Sequence, residues 1–176
     1  MSEQKHQGFL SDLFREEWQL VPRLLRVFRF DSKVFREIEE DPNAIPGAFA
    51  VVLATSVLSG LGQPSIASVF LGIAGALIVW ALSSALIWGG AALLVGGADY
   101  SRLLRCLGFA YGWNAVGLLG FLPFLGPVFQ WAGLGLWGAA LVVATREALR
   151  STTNQALVIC SVALVLPVVA LFGLFR

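Results

Sequence analysis

The sequence predicts an all-α, polytopic membrane protein, with five transmembrane helices behind an N-terminal amphipathic interfacial helix. Three observations predict it. The chain runs for 57 residues from Pro42 to Ala98 without one Asp, Glu, Lys or Arg, then for 40 from Cys106 to Thr145 and for 25 from Ser151 to Phe175. The two longer runs are each broken once by turn-forming residues, GLGQPS at 60–65 and PFLGP at 123–127. The connections between the resulting segments are alternately basic and uncharged. An ionised group in hydrocarbon must be solvated, paired or neutralised, so charge-free runs of this length imply that lipid is the solvent. Composition agrees: 57% hydrophobic, 13% charged and a mean hydropathy of +0.79 lie outside the soluble range.

Residues 1–41 form a cytoplasmic arm carrying seven Lys or Arg and nine Asp or Glu, a balance that implies no nucleic-acid partner. Its opening, MSEQKHQGFL, lacks the basic region and long apolar core of a cleaved signal peptide. Leu10, Phe14, Trp18, Val21, Leu25 and Phe28 recur at helical spacing, with Pro22 set to kink or divide the helix. Asp31 and Ser32 then look like an N-cap before a second short amphipathic segment in which Val34, Phe35 and Ile38 share a face. An amphipathic stripe with basic residues ahead of a span is expected to lie in the headgroup plane, although it would equally serve a partner or a second copy. Arg23, Arg26, Arg29, Glu40 and Asp41 are therefore candidate lipid or partner contacts. The acidic run Glu37, Glu39, Glu40 and Asp41, closed by Pro42, reads either as a solvated helix end or as a receiver for a basic partner.

A helix needs about 20 apolar residues to cross a hydrocarbon core of about 30 Å. The transmembrane domain, 42–176, accordingly divides into spans at about 45–61, 66–95, 103–122, 128–145 and 156–175. Lys and Arg collect on the cytoplasmic side. Arg23 to Arg36 in the arm, Arg102 and Arg105 in the second connection, and Arg146 and Arg150 in the fourth all belong on that side, whereas the first and third connections carry no charge. Five spans with a cytoplasmic N-terminus and the C-terminus outside satisfy every connection.

Within the spans, Asn114, Gln130 and Tyr111 are the polar groups of interest, either bonding between helices or lining a solute cavity. Thr55, Ser56, Ser59, Ser83 and Ser84 can bond the carbonyls of their own helices. Gly108 and Gly112 form a G-x-x-x-G pair, and Gly135 with Ala139 a second small-residue pair, suited to close helix packing. Arg102 and Arg105 are candidate lipid contacts, expected to snorkel to headgroups. Cys106 and Cys160 are read as reduced packing residues. The chain has no motif for a metal, a nucleophile with its base, or a phosphate cradle, so no catalytic residue, metal or cofactor is expected.

VFRFDSKVFREIEEDP (27–42), GGADYSRLLRCLGFAYG (96–112) and REALRSTTNQAL (146–157) together resemble the bacterial branch of the Yip family, the Ypt/Rab-interacting membrane proteins. The features shared are a short amphipathic approach ending in proline, a Gly-Gly turn before an aromatic-x-x-Leu-x-Arg stretch, and a basic segment entering the last span. Where many relatives place a proline inside span three, this chain reads YGWNA (111–115). The resemblance implies five spans, a cytoplasmic N-terminus and a non-enzymatic role in organising membrane or binding partners, at the bacterial inner membrane. Membrane lipids, other membrane proteins and self-association are the partners it suggests. A transporter or channel for a small neutral or lipid-like solute, with a cavity near Asn114, is the alternative; the missing intramembrane carboxylates disfavour ion coupling.

Overall fold

The computed structural model describes residues 20–60, 65–121 and 124–174, and side chains within these except at 60, 117, 118, 120, 121, 130 and 164–174. The elements are α1 (20–27), α2 (Ser32–Glu40), α3 (Ala44–Gly60), α4 (Ile66–Leu94), α5 (Tyr100–Ala110), a 3₁₀ stretch (Tyr111–Phe121), α6 (Gly126–Leu149) and α7 (Thr153–Leu174). All secondary structure among the described residues is helical. Leu10, Phe14 and Trp18 of the predicted stripe, residues 61–64 and Pro123 of the predicted turns, and the Gln130 side chain lie outside the described residues.

Side-chain caps start α2, α4, α5 and α7, and left-handed residues close α1 and α6. α1 ends in a pair of backbone bonds, Asp31 N to Arg26 O at 3.2 Å and Phe30 N to Val27 O at 2.9 Å, with Phe30 left-handed at φ 54°. This is a Schellman closure with phenylalanine where glycine is usual. Asp31 then caps α2, its side chain accepting from Lys33 N at 3.0 Å. Asp99 caps α5 in the same way through Ser101 N, and Ser65 caps α4 through Ser68 N. α6 closes like α1, with Arg150 left-handed at φ 48° and Ser151 N bonded to Arg146 O at 3.1 Å. Thr152 and Gln155 form a capping box at the start of α7, each side chain accepting from the other's backbone N–H.

The core is built from small and branched residues: Ala48, Val51 and Val52 of α3, Leu103, Leu107 and Phe109 of α5, Ala140, Leu141 and Ala144 of α6, and Ile159 of α7. α3 and α5 approach closely, because a Cβ placed on Gly108 would stand 2.6 Å from the Cβ of Ala48. Polarity is inverted relative to a water-soluble bundle. Thr55, Ser56, Ser83 and Ser84 are buried, each bonding a carbonyl three or four residues back on its own helix, while α4 turns Ile66, Phe70, Leu71, Ile78 and Leu93 outward, Leu71 at 77% exposure. α4 and α6 are each long and apolar enough to cross a membrane.

One expectation is corrected. Span three is not one α-helix over 103–122: it begins at Tyr100 and changes at Tyr111 from α to 3₁₀. The 3₁₀ stretch YGWNAVGLLGF holds three glycines and an asparagine, residues that hold the α form poorly. Runs of 3₁₀ longer than about four residues are uncommon. In the arm, Val21 and Leu25 of the predicted stripe are 61% and 57% exposed, while Leu20, Leu24 and Val27 pack inward.

Candidate functional site

The described charges converge on one end of the bundle, around α2. Val34, Phe35 and Ile38 are fully buried, seating α2 against α5 and α6. That seating carries the acidic run into the structure: Glu39 is 2% exposed, so the expectation of a solvated helix end fails for this residue. Its Oε1 accepts from Arg102 Nη1 at 2.8 Å and lies 3.7 Å from Arg150 Nη2, while its Oε2 has no partner among the described residues. Glu40 meets Arg150 at 3.5 Å, and Arg36 reaches Glu147 at 3.1 Å, where Arg146 also binds at 2.7 Å. A buried carboxylate must be compensated, and arginines from both basic connections compensate this one.

Arg105 is 6% exposed and donates through Nη1 to the carbonyl of Asp41 at 2.6 Å, so it does not snorkel to headgroups. The packing of α2 over α5 encloses it before it can reach the surface. Its neighbour Cys106 bonds the Phe35 carbonyl at 3.4 Å, and Cys160 bonds Thr145 Oγ1 at 3.3 Å; both thiols are free and buried.

Arg23 pairs with Asp41 at 2.8 Å. Arg26 forks onto Glu37 at 2.7 and 2.9 Å and turns its Nε to Asp31 at 2.9 Å. Hydrogen bonds from Arg26 and from Lys33 N hold the Asp31 carboxyl below its ordinary range, and hydrogen bonds to Glu37 and then to Asp31 raise the Arg26 guanidinium. Arg23, Arg26, Arg102 and Arg105 are thus spent inside the chain, and of the basic candidates only Arg29 keeps an exposed cation with no ion pair among the described residues.

The polar and small-residue candidates of the predicted spans are placed separately from this cluster. Gly108 packs on Ala48, and Gly112 lies under Leu24, whose Cδ1 would be 2.8 Å from an added Cβ. Tyr111 meets Trp137 edge-on with centroids 6.0 Å apart. Asn114 is half-buried in the 3₁₀ stretch and has no side-chain hydrogen bond to another described residue. Gly135 faces open space.

Arg36, Arg146, Glu147 and Arg150 belong to the site although sequence reasoning did not select them. The signal in the sequence was partial: of the acidic run 37–41 only Glu39 and Glu40 meet arginines of the basic connections, Arg102 and Arg150, while Glu37 and Asp41 pair within the arm. Trp113 was likewise missed; it stacks on Phe30 at 4.8 Å and takes Phe28 edge-on at 5.1 Å, pinning the α1–α2 corner to the 3₁₀ stretch. No cluster of three metal-ligating side chains occurs among the described residues.

No protein-family model, curated protein or solved structure matches this chain.

Proposed function

We propose that this is a Yip-type bacterial inner-membrane protein with five spans, its N-terminus cytoplasmic and its C-terminus outside, acting without catalysis as a membrane-organising or partner-binding module. The observation that carries the reading is the gathering of the arm and both basic connections into one ion-paired end, Glu39 beneath Arg102 and Arg150, beside helices that turn leucine and isoleucine outward. In that arrangement α3, α4, α5 with its 3₁₀ continuation, α6 and α7 serve as the five crossings. The basic residues lie together as the positive-inside rule requires of one membrane face, and the arm is a fixed part of the bundle that presents a surface to lipid or partners.

Two experiments test it. Reporter fusions at residues 1 and 176 are expected to report opposite sides of the membrane; the same side for both ends overturns five spans. Gentle-detergent purification with mass spectrometry is expected to recover specific membrane proteins or further copies of the chain with the full-length protein, and to lose them when residues 1–30 are deleted.

A solute pathway near Asn114 is the second reading. It is favoured by Trp137 Nε1, a buried donor beside Tyr111 with no acceptor among the described residues. Liposome flux lowered by Asn114→Ala or Gln130→Leu supports it, and flux indifferent to both removes it.

A further inference from the structure

All seven carboxylates of the described region, Asp31, Glu37, Glu39, Glu40, Asp41, Asp99 and Glu147, are ion-paired within the chain. The bases are not. Arg29 and Lys33 are exposed and have no carboxylate within ion-pair distance among the described residues. Among the described residues the exposed, unpaired positive charge therefore sits at one place, the α1–α2 corner, since the third base without a carboxylate, Arg105, is buried against the Asp41 carbonyl. Residues 21, 25 and 29 follow one another at four-residue steps, so the exposed Val21 and Leu25 form an apolar strip leading along α1 to Arg29. Phe28, Phe30 and Trp113 pack behind the corner. Aromatic rings beneath solvated cations, with an apolar strip to one side, match the layering of a bilayer interface, where phosphates lie above acyl chains.

We propose that Arg29 and Lys33 bind the phosphate of an anionic phospholipid while Val21 and Leu25 lie against its acyl chains, making the corner a headgroup-selective surface. The proposal rests on the membrane reading above. A phosphodiester supplies acceptor oxygens for a guanidinium fork and an ammonium, and its lipid tail covers the apolar strip that a soluble anion would leave wet.

The test places the full chain in nanodiscs of equal phosphatidylglycerol and phosphatidylcholine and identifies retained lipid by native mass spectrometry. Enrichment of phosphatidylglycerol by about fivefold or more is expected, the size of one basic residue's attraction near an anionic surface. It should vanish in the Arg29→Gln/Lys33→Gln variant and persist in Arg29→Lys/Lys33→Arg. On the unaltered protein, retention should fall as salt rises, because exposed charges are screened. Salt-insensitive retention, equal retention in the glutamine variant, or no headgroup preference in the unaltered protein overturns the proposal. So does an acidic peptide whose binding needs Arg29 and Lys33 while lipid retention does not, since the corner then serves a protein partner. Failure of the membrane reading looks different: the chain is then recovered soluble without detergent and does not enter the nanodisc.

Discussion

Glu39 and Arg102, 63 residues apart in the chain, meet at 2.8 Å with unequal environments: the carboxylate is buried while the arginine side chain is 46% exposed. Truncating the two partners should therefore differ in cost. Arg102→Gln leaves a buried carboxylate with only the longer contact to Arg150, and is expected to destabilise by about 3 kcal/mol, the low end for a broken buried pair because Arg150 remains. Glu39→Gln frees an arginine that water can reach, and should cost about 1 kcal/mol. Thermal unfolding of both variants in detergent micelles checks the order; equal losses would mean that the buried carboxylate is not the unit being compensated.

Gly108 and Gly135 look alike in the sequence, each opening a small-residue pair, but their surroundings are opposite. A methyl on Gly108 would meet Ala48 Cβ at 2.6 Å and Trp80 Nε1 at 3.1 Å, forcing α3 and α5 apart, and Gly108→Ala should cost about 1–3 kcal/mol. Gly135 has nothing within 4 Å, so Gly135→Ala should stabilise α6 by about 0.5–1 kcal/mol through helix propensity. Gly112→Ala falls between, since the atom it meets at 2.8 Å is the tip of the Leu24 side chain. Melting temperatures of the three variants decide the ranking.

Those glycines show what was legible and what was not. Helix limits followed from local chemistry that sequence displays: α4 begins after the Ser65 cap and ends within a residue of the predicted 95, and α3 starts one residue before the predicted 45. The outcome at span three depended on a small balance between α and 3₁₀ geometry over Tyr111–Phe121, and charge-free periodicity does not resolve it. The candidate site was half legible. Counting arginines per connection grouped Arg102, Arg105, Arg146 and Arg150 on one side, but that count treats each charge as facing water or headgroups. Whether Glu39 is solvated depends on the burial of Val34, Phe35 and Ile38, a tertiary fact.

Phe30 and Arg150 occupy the same left-handed position in two Schellman closures, so replacement by glycine relieves about 1–2 kcal/mol of backbone strain at either. The side-chain losses differ. Arg150 is 65% exposed and its pairs with Glu39 and Glu40 are long, at 3.7 and 3.5 Å, so Arg150→Gly should be near neutral. Phe30→Gly removes the stack on Trp113 and the packing of α1 on α2, losses that exceed the strain relieved. Urea or thermal melts should show Phe30→Gly clearly less stable than Arg150→Gly; the reverse order would show that strain outweighs the stack.

Asp31 couples the α1–α2 corner to pH. Its ordinary value is 3.8, and in the folded chain hydrogen bonds from Arg26 and Lys33 N lower it. The folded state thus binds the proton less readily than the unfolded one, so the stabilisation is fully present above pH 3.8 and is lost as pH falls below it toward the folded value. Hydrogen exchange of peptides covering residues 24–34 should be flat across neutral pH after correction for intrinsic rates, and protection should fall once the medium is more acid than that limit. Asp31→Asn keeps an N-cap oxygen while removing the titrating charge. Its corner should be somewhat less protected at neutral pH and should lose this acid step; a variant that keeps the same step places the titration on another group.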